Sequence, residues 1–288
     1  MYPAPFNYHR PKTLAEATRL LQANKGAKLL AGGHSLIPAM KLRVSAPGTL
    51  VDIGQLKELT GISTDGAALR IGALTTHAEV AAAAPIKAGC PILGEAAAQI
   101  GDIQVRNRGT IGGSLAHADP AADLPTVMVA LGASVSAAGP SGSREIAADA
   151  FFKDLFTTAL TSAEVLTAVR VPTYGAGTGG AYLKHRHPAS SYAVVGVAAL
   201  VTLAGGKCTK VAVAVGGATV KPVRAAAVEG ALQGHPPSED KIAGAAALVA
   251  GALEDPLSDL YASGEFRTHL ATVMTKRALT EAVARARR

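Results

Sequence analysis

Two glycine-rich segments carry the residue types that could hold an anionic ligand. The first, AGGHS at residues 31–35, interrupts an apolar run, and the second, GTIGGS, occupies residues 109–114. Glycine tolerates positive φ and close approach of the main chain, so successive N–H groups can converge on a phosphate. Neither segment matches GxGxxG or GxxxxGK[ST], so a standard dinucleotide fingerprint or P-loop is not supported. One Gly-Gly pair is usually a turn, but two such segments with small hydroxyl residues favour one ligand held by two loops.

Four polar residues near these loops are candidates for a structural or a ligand-binding role. Asp119 fits a helix start, and Asp123 could either accept hydrogen bonds from sugar hydroxyls or cap the helix that follows. His34 could be a base, a metal ligand or a cofactor attachment point, but no partner at metal-ligand spacing accompanies it. Tyr192 could stack on a flat cofactor or place its ring in the core. No GxSxG elbow is present, so hydrolytic chemistry has no support.

Composition places the chain among globular proteins of a reducing compartment. Its 288 residues are 49% hydrophobic and 17% charged, which argues against disorder. The two cysteines, Cys90 and Cys208, are too few and too far apart for an iron–sulfur cluster or a structural zinc. The opening MYPAPFNYHRPKT lacks the apolar core of a signal peptide, and no apolar run is long enough for a membrane span. We expect a cytoplasmic protein.

The net charge of +7 raises the alternative of a nucleic-acid-binding protein. The basic residues are scattered, however, and no aromatic side chains alternate with them as single-strand binding would require. A solvated tail and a phosphate or subunit contact explain the charge at least as well. Nucleic-acid binding is therefore the least favoured function.

The chain divides into three units. Residues 1–55 predict a small layer of strands and helices, and residues 56–173 open with a hairpin around Asp65-Gly66. The segment TYGAGTGG suggests a linker at 174–180. Residues 181–288 predict three strands followed by helices, so the overall class is α+β.

Three stretches together resemble one protein family. They are AGGHSLIPAMKLR, IGDIQVRNRGTIGGSLAHADPAADLP and YLKHRHPASSYAVVG. These motifs are similar to those of the FAD-binding medium subunits of the molybdenum hydroxylases, the xanthine dehydrogenase family, and most of all to the aerobic carbon monoxide dehydrogenase branch. The resemblance covers essentially the whole chain. It implies two FAD-binding subdomains of the vanillyl-alcohol-oxidase (PCMH) type, followed by an α+β domain with a three-stranded antiparallel sheet.

The resemblance also implies an assembly and its cofactors. FAD would be bound non-covalently, whereas a small partner subunit would carry two [2Fe–2S] clusters and a large one the molybdopterin cofactor, in a dimer of heterotrimers. This chain would pass electrons through FAD to quinone or another acceptor, with at most peripheral membrane association and no nucleic acid. The alternatives are a medium subunit of a related aldehyde or N-heterocycle (nicotine, quinoline, purine) dehydrogenase, or a free-standing flavin oxidase.

Individual FAD contacts follow from the same resemblance, with no catalytic or metal residue expected in this chain. Residues 29–36 would surround the pyrophosphate, residues 110–114 would hold the phosphates and ribityl chain from the other side, and Asp123 would bind FAD hydroxyls. Ile100 and Leu166 would line the ring or adenine, with Lys184 and Tyr192 near the flavin. The full expected set is Leu29, Leu30, Ala31, Gly32, Gly33, His34, Ser35, Leu36, Ile100, Thr110, Ile111, Gly112, Gly113, Ser114, Asp123, Leu166, Lys184 and Tyr192.

Three positions and one substitution sharpen these expectations. Ser114 stands where many relatives have Asn, and HADPAAD differs from the NGDPGND of some relatives, which leaves His117 without an assigned role. His34 follows a Gly-Gly that precedes a flavin-linked histidine in some related oxidases, but we expect a loop residue beside a non-covalent flavin. Replacing Lys184 with Met is expected to lower the flavin potential while leaving the fold and FAD content unchanged.

Overall fold

The N-terminal elements form a three-stranded parallel sheet. Strands and helices alternate along the chain, with one helix between the first and second strands and one between the second and third. The computed structural model describes residues 1–288. The strand order is β1-β3-β2, and β3 pairs in parallel with both neighbours. All three strands therefore end at the same edge, where α/β proteins bind their ligands. The elements are β1 (Asn7–His9), α1 (Leu14–Ala23), β2 (Lys28–Leu30), α2 (Leu36–Lys41) and β3 (Thr49–Asp52).

The next unit is a five-stranded antiparallel sheet covered by helices. Its strand order is β4-β5-β10-β6-β7, and a tight turn joins Asp65 to Ala68, which confirms the predicted hairpin. The elements are a 3-10 helix (Lys57–Leu59), β4 (Ile62–Asp65), β5 (Ala68–Gly72), α3 (His77–Ala82), α4 (Ala84–Gly89), α5 (Pro91–Ala98), α6 (Ile103–Arg106), α7 (Ile111–His117), α8 (Asp123–Leu131), β6 (Ser134–Gly139), β7 (Gly142–Ala147), α9 (Ala148–Phe151), β8 (Phe152–Asp154), β9 (Thr157–Thr158) and β10 (Val165–Pro172).

The C-terminal unit is an antiparallel sheet of order β11-β12-β13-β14 against which the long last helix packs. It differs from the prediction in two places. A fourth strand of two residues joins the three expected ones, and Thr178–Gly180, expected as linker, pair with β12 as part of β11. The elements are β11 (Thr178–Arg186), β12 (Ala193–Ala204), β13 (Lys207–Gly216), β14 (Val223–Arg224), α10 (Ala226–Leu232), α11 (Glu239–Ala247), a 3-10 helix (Leu248–Ala252) and α12 (Gly264–Ala286).

Aliphatic side chains build two large cores and one small one. The largest joins the antiparallel sheet of the second unit to its helices, and it also includes Tyr182, Ala198 and Ala214 from the C-terminal sheet. The other large core lies between the C-terminal sheet and its helices. The second and third units therefore share buried surface instead of meeting only at a linker. No helix in the structure is both long enough and apolar enough to cross a membrane.

Candidate functional site

The first glycine segment is a loop between β2 and α2 whose amide donors are free. Gly33 has φ +79°, a left-handed conformation that favours glycine. The main-chain N–H groups from Ala31 to Ser35 donate to no acceptor of the chain, and Ser35 does not cap α2 with its side chain. A run of unpaired N–H groups at a glycine turn is the arrangement that binds phosphate. Residues 31–35 therefore form the predicted loop, with a left-handed Gly33 and unpaired N–H groups.

Gly32 brings this loop against the second glycine segment. A Cβ at Gly32 would lie 2.8 Å from the Arg108 carbonyl carbon and 3.0 Å from Gly109 Cα. The two main chains meet there with no room for a side chain. A cleft of about 220 Å³ opens beside this contact, and a second of about 290 Å³ lies along Gly33 and His34. The two loops, 77 residues apart from Gly32 to Gly109, therefore form one site.

The second glycine segment is built differently, because its amide donors are already used. Thr110 caps α7 by accepting from Gly113 N–H at 3.1 Å, and the N–H of Ser114 bonds to the Thr110 carbonyl at 3.0 Å. Ile111 and Gly112 donate to the carbonyls of Thr75 and Ala73, which follow β5, at 3.0 and 2.9 Å. This loop offers a ligand close approach and hydroxyl groups, but no free N–H from residues 111–114.

His77 lies beneath this junction and was not identified from the sequence. It is only 4% exposed, its ring packs under Gly109, and its Nδ1 has no hydrogen-bond partner. Burial, assisted by the nearby His34, lowers the pKa of His77 to about 4, so the ring is neutral at physiological pH. The sequence shows only the capping box Thr76-x-x-Glu79 around it, which places His77 on a helix but does not reveal its depth.

Asp123 is the centre of a buried hydrogen-bond network between the second and third units. It is 5% exposed, Tyr182 donates its hydroxyl to Oδ1 at 2.6 Å, and Lys184 donates to Oδ2 at 2.8 Å. Burial raises the pKa of Asp123, although the contact with Lys184 opposes this. Each carboxylate oxygen keeps one further acceptor position. Binding of FAD hydroxyls by Asp123 stays a prediction. The carboxylate already accepts hydrogen bonds from two protein donors, Tyr182 and Lys184.

The Lys184 side chain is fully buried, and all three of its ammonium protons are used. Besides Asp123, Nζ donates to the carbonyls of Gln99 at 3.1 Å and Ser191 at 2.8 Å. Burial lowers the pKa of Lys184, and the carboxylate beside it opposes that change. The expectation that Lys184→Met leaves the fold unchanged therefore needs correction, since removal would strand a buried carboxylate. Lys184 can act on a ligand through its charge, but it has no free donor.

Tyr192 follows the loop that Lys184 holds. Ser191 has φ +61°, and the His187 N–H donates to the Tyr192 carbonyl at 2.8 Å, which closes a tight turn. The Tyr192 side chain is 44% exposed. Burial and the nearby Asp119 raise its pKa, while contact with the Ser35 hydroxyl opposes the shift. The C-terminal unit thus places an accessible aromatic ring beside the first glycine loop.

The two residues expected to line the flavin ring or adenine differ in accessibility. Ile100 follows α5 and is half-buried, with its carbonyl accepting from Arg106 Nη1 at 2.9 Å. Leu166 lies in β10, and its side chain is 4% exposed within the largest core. A ligand contact at Leu166 would therefore involve its main chain. The site thus brings together Tyr192 and the two glycine loops, whereas Leu166 remains in the hydrophobic interior.

The expectation that Asp119 starts a helix is wrong. Its carboxylate accepts from the Ala121 N–H at 2.9 Å in a turn, and α8 begins only at Asp123. Pro120 fixes one φ angle as a helix start would require. The carbonyls of Pro120 and Ala121, however, accept hydrogen bonds from the N–H groups of Gly217 and Ala193 in the C-terminal unit. Tertiary contacts thus override the local helix signal.

Comparison with known proteins agrees with this geometry. Residues 4–174 match the family model described as the FAD binding domain in molybdopterin dehydrogenase, and residues 180–282 match the CO dehydrogenase flavoprotein C-terminal domain. The chain is 39% identical to the carbon monoxide dehydrogenase medium chain of Hydrogenophaga pseudoflava, covering 99% of both chains. It is 38% identical to the glyceraldehyde dehydrogenase medium chain of Sulfolobus acidocaldarius, covering 98% of this chain and 99% of the relative.

A solved structure supports the same grouping. The chain superposes on carbon monoxide dehydrogenase from Hydrogenophaga pseudoflava with a TM-score of 0.96 and 41% identity over 99% of both chains. The α+β fold, the paired glycine loops and the shared core define an FAD-binding flavoprotein unit. The chain belongs to the FAD-binding medium subunits of the molybdenum hydroxylases. The resemblance seen in the sequence motifs is confirmed.

Proposed function

We propose that this chain is the FAD subunit of a carbon monoxide dehydrogenase, and that it relays electrons from a partner's [2Fe–2S] cluster to an external acceptor such as quinone. The observation that carries the proposal is the run of unpaired N–H groups from Ala31 to Ser35, in contact with Arg108 and Gly109. These donors fit the pyrophosphate of a non-covalently bound FAD. When bound, FAD supplies the one- and two-electron chemistry.

The residues of this chain bind and orient the cofactor. In this proposal the first loop holds the phosphates through N–H groups, while Thr110 and Ser114 offer hydroxyl groups from the opposite side. Tyr192 limits access to the flavin ring, and Lys184 keeps Tyr192 in place through its bond to the Ser191 carbonyl at 2.8 Å. His34 is exposed at the loop and has no covalent role. No proton-transfer group of this chain is required for an electron relay.

The proposed partner subunits would carry the iron–sulfur clusters, for which this chain has too few cysteines. Cys90 and Cys208 are both buried, free and distant, so two [2Fe–2S] clusters require a second chain. We propose a small cluster-bearing subunit and a large molybdenum subunit, assembled as a dimer of heterotrimers in the cytoplasm. The free thiols support a reducing compartment.

An aldehyde dehydrogenase is the second candidate, because the medium chain of a glyceraldehyde dehydrogenase is 38% identical, against 39% for that of a carbon monoxide dehydrogenase. Because the two sequence identities are nearly equal, they do not decide between carbon monoxide and an aldehyde as the substrate of the complex. The substrate is converted in the large subunit, so the difference must be sought there.

Two measurements test the proposal. The purified full-length chain should show an oxidised-flavin spectrum, and acid or heat denaturation should release all of the colour into solution. The anaerobic complex with its partners should bleach on addition of carbon monoxide, whereas the isolated chain should not. Colour that stays with the denatured protein would contradict non-covalent binding. Bleaching of the complex by glyceraldehyde but not by carbon monoxide would favour the second candidate, and bleaching of the isolated chain by a small substrate would show a free-standing oxidase.

A further inference from the structure

Two arginines border the first glycine loop, and neither guanidinium has a partner in the chain. The cleft of about 220 Å³ at the carboxyl ends of β1, β3 and β2 is lined by Gly32, Gly33, Arg10 and Arg108, among others. Arg10 directly follows β1, and Arg108 precedes the second glycine segment. Neither side chain makes a hydrogen bond or an ion pair. Unpaired guanidinium groups in a cleft are available to an anion.

The one carboxylate in this cleft does not neutralise them. Asp52 lies at the end of β3, where the Tyr8 hydroxyl donates to Oδ2 at 2.5 Å and the Gly54 N–H donates to Oδ1 at 2.9 Å. Each oxygen of Asp52 therefore already accepts one hydrogen bond, and neither is paired with an arginine. Two guanidinium groups against one carboxylate leave the cleft with a net positive charge, to which the unpaired loop N–H groups add their dipoles.

Arg108 is placed to reach either face of the loop. Its carbonyl contacts Gly32, and its residue lines both this cleft and the neighbouring one of about 290 Å³ beside His34. Arg10 lines only the first cleft. Arg108 thus borders both clefts and Arg10 borders one of them, so the two side chains approach the glycine loop from different positions.

We propose that Arg108 and Arg10 bind the diphosphate of FAD, in addition to the loop N–H groups; this inference rests on the proposed function. A planar guanidinium donates two parallel hydrogen bonds to a phosphate, which an ammonium group cannot do. Arg108 contacts the diphosphate at the glycine loop, and Arg10 contacts it from the end of β1. The arginines distinguish FAD from flavins that lack a diphosphate.

The test uses the full-length chain freed of flavin, with FAD and riboflavin as probes. Arg108→Gln and Arg10→Gln should each weaken FAD binding by about tenfold or more, because charge-assisted bonds to phosphate are lost. Riboflavin, which has no phosphate, should bind each variant as it binds the unmodified chain. Arg108→Lys should give an intermediate FAD affinity. Arg19→Gln, an exposed arginine on α1 without an ion pair, is the matched control and should change neither affinity.

The outcomes separate this inference from the proposed function. FAD affinities within about twofold of the unmodified chain in both glutamine variants would overturn the inference and leave the proposed function intact. Equal losses of FAD and riboflavin affinity would also overturn it, since they indicate general damage to the site. Failure of the unmodified chain to bind any flavin would overturn the proposed function itself. ADP should compete with FAD on the unmodified chain and compete more weakly on both variants.

Discussion

At the scale of single residues, Gly32 keeps the two glycine loops in direct contact. Alanine at this position would place its Cβ 2.8 Å from the Arg108 carbonyl carbon, so the loops must separate. We expect Gly32→Ala to cost about 1–3 kcal/mol of folding free energy, as overpacking does, and to lower the FAD content of the purified chain. Chemical denaturation and the flavin-to-protein absorbance ratio measure the two effects.

Gly48→Ala is the matched control for this substitution. A Cβ at Gly48 would meet nothing within 4 Å, and its φ does not require glycine. We expect both stability and FAD content to stay close to those of the unmodified chain. Full FAD content in Gly32→Ala would show that loop contact is not needed for binding.

His77 makes stability depend on pH in a defined range. Its pKa is about 4 in the folded chain and near 6.5 when exposed, so the unfolded chain takes up the proton first. Stability is therefore complete above pH 6.5 and falls towards pH 4, at up to about 1.4 kcal/mol per pH unit and by about 3 kcal/mol in all. His77→Leu should flatten this part of the profile, because leucine does not titrate. Urea denaturation between pH 4 and 8 gives both curves, and parallel curves would contradict the assignment.

Residue types near the loops could be predicted from the sequence, but their partners could not. The types and spacing of the loop glycines and hydroxyls predict a ligand loop, whereas for Asp123 the local pattern leaves ligand binding and helix capping open. Lys184 lies 61 residues from the carboxylate that it pairs with, and nothing local indicates that contact. The local sequence indicates only that His77 lies at the start of a helix. The tertiary structure shows that Gly109 covers its ring.

At the scale of elements, the Asp123–Lys184 pair connects α8 to β11. Lys184→Met would leave a buried, unpaired carboxylate, and we expect a loss of about 3–5 kcal/mol. The double variant with Asp123→Asn should recover most of that loss, since no charge then remains buried. Both variants lack the bond to the Ser191 carbonyl, so the loop before Tyr192 should be more mobile in each. Thermal denaturation tests the recovery, and equal stabilities of the single and double variants would contradict it.

Element types were more predictable than element limits. The apolar run KLLA predicts β2, and the Gly-Gly pair predicts the turn after it, because both patterns are local. The helix α2 was not predicted, since the short segment that follows the glycines shows no helical period of its own. The two-residue strand Val223–Arg224 has no pattern of its own and exists only through pairing with β13. Thr178–Gly180 looked like linker because glycine is rare in strands, yet Gly179 and Gly180 are needed where α12 and Tyr174 pack closely.

At the scale of the whole molecule, the second and third units depend on each other. Tyr182 and Ala198 belong to the same core as α5 and α8, although a family boundary lies between residues 174 and 180. A chain ending at residue 177 would expose this core and leave Asp123 without both of its donors. We expect residues 1–177 to aggregate or to unfold without cooperativity, and to bind no FAD.

Expression of residues 1–177 beside the full-length chain tests this dependence. Near-ultraviolet circular dichroism, the unfolding transition and flavin content are compared for the two chains. A cooperative transition with bound flavin in the shorter chain would show that the C-terminal unit is dispensable for the site.

The contrast between the two glycine loops has a consequence for how protection from solvent changes when FAD binds. Amides 111–114 are held by protein carbonyls or by Thr110, so their hydrogen exchange should be slow in both the free and the FAD-bound chain. Amides 31–35 have no acceptor, so they should exchange quickly without FAD and become protected when it binds. Hydrogen–deuterium exchange mass spectrometry across a FAD titration would follow this, and unchanged exchange at 31–35 would contradict phosphate binding there. One loop is thus formed before the cofactor arrives, and the other is completed by the cofactor.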